Sequence, residues 1–156
     1  MNQDELTATA SQLIRSPVAE VFDAFVDPAR LTQFWLKSAS GPLAKDARVT
    51  WHFMVPGATE TVTVTEFKPP RRIAFDWAGG LSVELDLQAH GADATRTAVT
   101  AKGFAGSNAA SEVVGTTEGF SIVLCDLKTL LETGRSANLV RDKATLVAES
   151  ARTAES

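Results

Sequence analysis

Cysteine is nearly missing from this chain: Cys125 is the only one among 156 residues. Neither an intramolecular disulfide framework nor a cysteine-based metal cluster can therefore be built. Positive charge is also short, with 15 Lys+Arg against 19 Asp+Glu and a net charge of −4. That is the wrong sign for binding by neutralising phosphates, so nucleic acid is excluded as an expected partner. No apolar run approaches the roughly 18 residues that a membrane span needs. The opening Met1-Asn2-Gln3-Asp4-Glu5 is acidic where a secretory leader would be basic, which points to a soluble cytoplasmic protein. Histidine is scarce as well: His52 and His90 lack a local metal-ligand spacing, and no metal or cofactor is expected. Nothing resembles a Ser-His-Asp set, a phosphate loop or a dinucleotide fingerprint.

What is present is ordinary for a globular chain, with 44% hydrophobic and 22% charged residues. A chain of this size forms one domain and removes roughly 70% of its extended surface from water, enough for a core without metal or disulfide. We expect a domain over residues 1–142 and a partly frayed C-terminal tail over 143–156, whose last part is small and polar.

The hydrophobic period changes along the chain. Residues 6–15 alternate as a strand that Ser16-Pro17 ends. Ser16-Pro17 and Asp27-Pro28 are helix starts, since Ser or Asp can cap exposed amides and proline suits the first helical position. Val18, Val21, Phe22 and Phe25 recur at i, i+3, i+4 and i+7, one stripe facing a core. A second short helix covers about residues 29–34.

Period 2 then takes over. Val49, Trp51, Phe53 and Val55 alternate with Thr50, His52 and Met54, Pro56-Gly57 turns the chain, and residues 59–67 form a β-branched return strand. Ile73, Phe75 and Trp77 follow the break at Lys68-Pro69-Pro70-Arg71. Gly79-Gly80 makes a hairpin turn to Val83, Leu85 and Leu87, and a Thr-rich strand covers about residues 95–104. From about residue 117 to 133 the period returns to 3.6: Phe120, Val123, Leu124, Leu127, Leu130 and Leu131 fall within about 120° of one helical face. Gly134 is placed to stop this helix, with Lys128 and Arg135 near its negative end. Strands segregated from helices make an α+β fold, a curved antiparallel sheet of about six strands around one long helix. Such an arrangement leaves a cavity suited to apolar ligands.

The ordered set Ser16-Pro17-Val18-Ala19-Glu20-Val21-Phe22-Asp23-Ala24-Phe25, Asp27-Pro28-Ala29-Arg30-Leu31, Phe34-Trp35, Pro69-Pro70-Arg71-Arg72-Ile73, Phe75-Asp76-Trp77, Gly103-Phe104 and Gly119-Phe120 resembles the START/Bet v-like (SRPBCC) superfamily. Within it the chain is most similar to the branch related to the C-terminal domain of the activator of heat shock protein 90 ATPase, over roughly residues 6–141. The resemblance implies a helix-grip fold around a hydrophobic pocket. It leaves function open, since relatives include lipid and sterol carriers, hormone-binding allergens, aromatic polyketide cyclases and a chaperone-activating domain. The eukaryotic activator carries a further N-terminal domain for chaperone contact, for which this chain has no room, so a chaperone partner is not favoured. Phe120 stands where the family more often has Trp.

Candidate ligand-binding residues are Trp35, Trp51, Phe53, Phe75 and Trp77, facing Phe120, Val123, Leu124 and Leu127 of the long helix. Each alone reads more readily as ordinary core, and only the set together points to a pocket wall. His52 alternates with Trp51 and Phe53 and should lie on the opposite sheet face, while His90 belongs to a turn. Cys125, about 140° from Phe120 around the helix, reads as semi-buried core. Glu60, Glu66, Asp76, Glu84 and Asp86 read as a solvated sheet face. Ile122, about 200° from Phe120, would be exposed, and a homodimer contact could begin there. The leading expectation is a binding module for a small hydrophobic or lipid-like ligand with no catalytic residues. The alternatives are a cyclase-like enzyme using His52 or a pocket carboxylate, and an accessory protein of the chaperone.

Overall fold

A computed structural model of the chain describes residues 6–155. The acidic opening, residues 1–5, and Ser156 lie outside them. The alternating segment after the opening forms β1 (Ala8–Ile14), followed by α1 (Val18–Val26) and α2 (Pro28–Phe34). Val21, Phe22 and Phe25 of the stripe are buried, as 3.6-residue spacing requires. Asp27 caps α2, its Oδ1 accepting from Ala29 N at 2.9 Å. Ser16 does not cap α1. Pro17 occupies that position, and the Ser16 hydroxyl donates to Glu20 Oε2 at 3.2 Å instead.

The remaining strands are β2 (Leu36–Ala39), β3 (Arg48–Phe53), β4 (Thr59–Lys68), β5 (Arg72–Trp77), β6 (Leu81–Ala89) and β7 (Thr95–Lys102). All seven form one antiparallel sheet in the order β1-β7-β6-β5-β4-β3-β2. That is one strand more than the pattern indicates, because four-residue β2 is too short to show alternation. Strands β2 to β7 pair consecutively as a meander, and β1 lies beside β7 at the edge opposite β2.

The long helix α3 (Ala109–Thr133) packs along β1 and ends at Gly134, whose φ of 81° is the left-handed conformation of a C-terminal stop. It begins well before residue 117, which the sequence pattern does not show because the first turns are largely exposed and carry no apolar stripe; Val114 is 70% exposed. Lys128 does not serve α3's own C-terminus. Its Nζ donates to Leu13 O at 2.7 Å and to Glu132 Oε2 at 2.6 Å, while Arg15 N donates to the same Glu132 oxygen, tying α3 to the end of β1.

The segment expected as a frayed tail is helical. Helix α4 (Leu139–Glu155) folds back along α3, and Ala144 is buried in the contact. Its start is held by a buried carboxylate of α3. Asp126 Oδ2 accepts from Val140 N at 3.1 Å, and Oδ1 accepts from the Ser136 hydroxyl at 2.9 Å. This satisfies an amide of the first turn of α4 that no helical carbonyl can reach. Among the described residues no helix is long and apolar enough to cross a membrane.

Candidate functional site

The inner face of the sheet carries a chain of aromatic rings in edge contact. Trp51 lies at its centre, 5.0 Å from Trp35 and 5.4 Å from Phe75, and Phe75 continues to Trp77 at 5.6 Å. Phe120 of α3 completes the set, stacked on Trp77 at 6.1 Å and meeting Trp35 edge-on at 6.2 Å. Offset and edge geometries of this kind bring the positive rim of one ring to the negative face of another, beyond simple burial.

At the end of this aromatic layer lies a cavity of ≈ 420 Å³. The sheet supplies Phe53, Met54, Val55 and Ala58 from the β3–β4 hairpin, with Trp77 and Leu81 from the β5–β6 turn. Trp35 enters from the end of α2. Gly119, Phe120, Ile122 and Val123 come from α3, and Val140, Lys143, Ala144 and Val147 from α4. An apolar pocket of this size, bounded by a few polar groups, suits a small hydrophobic molecule.

Five of the nine residues anticipated from the sequence border the cavity: Trp35, Phe53, Trp77, Phe120 and Val123. Trp51, Phe75, Leu124 and Leu127 do not. They are fully buried beneath it as packed core, so inward-facing period was right for them while depth along the strand or helix was not. The Trp51 indole N–H is buried without a hydrogen-bond partner among the described residues, enclosed by the rings around it.

Several side chains lie elsewhere than expected. Glu60 shares the inner face of β4 with Val62 and Val64 and borders the cavity, whereas a bulge between Val64 and Glu66 shifts Glu66 to the outer face. There Arg72 gathers Glu66 at 3.0 Å, Glu84 at 3.3 Å and Asp86 at 2.8 Å, and the hydrogen bonds from Arg72 and Lys68 hold the Glu66 carboxyl below its ordinary value. Ile122 is half-buried and borders the cavity, because α4 packs along the side of α3 that would otherwise meet water. The reason for starting a dimer contact there is thereby removed.

His52 is exposed on the opposite sheet face, its Nδ1 3.2 Å from the Thr59 hydroxyl across the hairpin, and His90 is exposed in its turn. Asp76 is exposed and accepts from the Ser82 hydroxyl at 2.8 Å. Cys125 is half-buried, with Gln12 Nε2 3.7 Å from its sulfur. The charged groups at the cavity are Glu60 and Lys143, and Lys143 pairs with Glu118 at 3.1 Å.

The α4 wall is the part that sequence reasoning missed. Its signal was present: Val140, Lys143, Ala144 and Val147 stand at i, i+3, i+4 and i+7. A lysine and an alanine in that stripe make it read as polar.

Comparison with known proteins follows the same outline. The family described as activator of Hsp90 ATPase homolog 1-like protein matches residues 15–132. Among solved structures, protein SSP2350 from Staphylococcus saprophyticus is 25% identical with a TM-score of 0.75, over 83% of this chain and 94% of that one. DynU16, a putative protein in the dynemicin biosynthetic locus, is 26% identical with a TM-score of 0.74 over 85% of this chain. The chain spans about half of DynU16, 49% of its length. The Aha1 dimer from Colwellia psychrerythraea shares the fold at 17% identity and a TM-score of 0.74, over 83% of this chain and 98% of that one. No curated protein sequence matches the chain.

Proposed function

Because the chain belongs to the activator of Hsp90 ATPase homolog 1-like family, we propose that it is a binding module that holds a small hydrophobic molecule among the β3–β4 hairpin, α3 and α4. The observation that carries this reading is the ≈ 420 Å³ cavity, whose walls are aromatic and aliphatic apart from Glu60, Thr116 and Lys143. Its driving force is burial of apolar ligand surface, about 25 cal/mol per Å². Rings fixed by edge contacts and stacking need little reordering when a ligand enters, which limits the entropic cost of binding. A setting in small-molecule biosynthesis, as for DynU16, fits such an occupant.

Native mass spectra of freshly purified protein, compared with the denatured chain, test for a retained ligand. Titration with N-phenyl-1-naphthylamine, a neutral apolar fluorophore, tests the cavity directly. We expect saturable binding that Gly119→Leu abolishes, since an isobutyl group there projects from the cavity wall into open space. Absence of probe binding, or binding indifferent to Gly119→Leu in a protein that melts normally, would overturn the reading.

A further inference from the structure

The cavity has a neighbour. A second groove of ≈ 560 Å³ lies on the other side of Met54 and Ala144, and both residues line both spaces. Of the two shared residues, Met54 has a flexible thioether side chain that can change rotamer. The two spaces differ sharply in chemistry. The groove carries two cations, Lys37 at the start of β2 and Arg141 on the first turn of α4, together with Thr32 and Thr145. No carboxylate lines it, in a chain whose net charge is −4. Among the described residues neither Lys37 nor Arg141 takes part in an ion pair, whereas Lys143, two residues along the same helix from Arg141, is paired with Glu118.

Resting on the binding reading above, we propose that the ligand is an amphipathic anion, with its apolar part in the aromatic cavity and its anionic head in the groove between Lys37 and Arg141. The cavity's ≈ 420 Å³ falls in the range of small-molecule pockets, which suits a medium-length chain or a compact ring system. The head is recognised by charge and by hydroxyl donors. A carboxylate, a sulfate ester and a phosphate monoester share that chemistry. Arg141 offers a planar fork that matches any of these oxygen sets, and Lys37 adds a mobile point charge.

Intrinsic tryptophan fluorescence reads the cavity, because Trp35 and Trp77 line it. Dodecanoate, dodecyl sulfate, dodecyl phosphate, dodecanol and dodecyltrimethylammonium are titrated below their micelle concentrations. We expect the anions to bind at least several-fold more tightly than dodecanol, and the cation most weakly. The order among the three anions identifies the preferred head. The double variant Lys37→Gln/Arg141→Gln should lose roughly threefold to thirtyfold in affinity for the best anion, the range for two exposed charge contacts, while dodecanol binding stays unchanged. Both residues are exposed, so the variant should melt like the parent. Dodecanol binding as tightly as the anions, or equal losses for anion and alcohol in the variant, would overturn this inference and leave the binding module standing. Failure of dodecanol and the anions alike would overturn both.

Discussion

Asp126 offers the sharpest test of how the cavity is built. Its side chain is 1% exposed on α3, and its two oxygens accept from the Ser136 hydroxyl and the Val140 amide at the start of α4. Asp126→Ala removes both acceptors and leaves that amide without its partner. Hydrogen bonds to a charged group contribute about 1.5–3 kcal/mol each and a lost helix cap costs about 0.5–2 kcal/mol, so the docking of α4 should weaken by about 2–4 kcal/mol. In hydrogen exchange, under conditions where reclosing outpaces exchange, this appears as a roughly thirtyfold to several-hundredfold acceleration of α4 amides. The central strands β5 and β6 share no hydrogen bond with Asp126, Ser136 or the Val140 amide and should keep their rates. Asp126→Asn retains one acceptor oxygen and should fall between. Because Val140, Lys143, Ala144 and Val147 wall the cavity, probe affinity should drop with α4 protection. Unchanged α4 exchange in Asp126→Ala, or equal acceleration in β5 and β6, would refute the reasoning.

Three further outcomes are expected. Gly103→Ala should cost about 2–4 kcal/mol in urea unfolding, because its φ of 100° disfavours a side chain and the new Cβ would lie 2.6 Å from Gly80 O; an unchanged midpoint refutes this. Gly115→Ala and Gly119→Ala should each stabilise α3 by about 1 kcal/mol, since a Cβ at either position meets nothing within 4 Å, but only Gly119→Ala should alter probe affinity. A fall in melting temperature for either would contradict it. Thermal stability should decline in acid: Glu66 is held below its ordinary 4.5 by hydrogen bonds from Arg72 and then Lys68, and Glu132 likewise by Lys128 and the Arg15 amide. Carboxyls with lowered folded values contribute stability that is present above the unfolded value and lost as pH falls through the folded one, so the loss begins as pH drops past 4.5. Glu132→Gln should flatten part of that decline, and an acid limb identical to the parent's would count against the assignment.

What was legible in the sequence was whatever depends on neighbours in sequence. The stripe Val18, Val21, Phe22, Phe25 locates α1, and the alternation around Trp51 and Phe53 gives the sheet face and sends His52 outward. What was illegible depends on distant partners. Trp51 and Phe53 share a face by alternation, yet only Phe53 reaches the cavity, because Trp51 sits beneath Trp35 and Phe75. Likewise Glu60 and Glu66 are both acidic strand residues, and only the bulge after Val64 separates the cavity wall from the Arg72 cluster. Helix α4 is the largest case. Its stripe is weak by itself and becomes a wall through distant partners, the packing of Ala144 against the rest of the fold and Asp126, more than ten residues away in sequence, which holds the helix start.

The family match ends at residue 132, and α4 begins at Leu139. Strands β2 to β7, α1, α2 and the aromatic layer therefore lie within the matched residues, whereas β1, the cavity-side Val140, Lys143, Ala144 and Val147 and the groove-side Arg141 lie outside them. A ligand held as proposed would draw its apolar contacts from both, and Arg141 of α4 would join Lys37 of the matched region at its head. Substitutions confined to α4, such as Arg141→Gln against Val147→Ser, should thus change which ligands bind while leaving the folding of the matched region intact. The ratio of dodecanoate to dodecanol affinity should fall in Arg141→Gln. In Val147→Ser both affinities should fall together at an unchanged ratio, because that residue meets only the apolar part. A ratio that moves equally in both variants would mean that cavity and groove do not act as separate subsites.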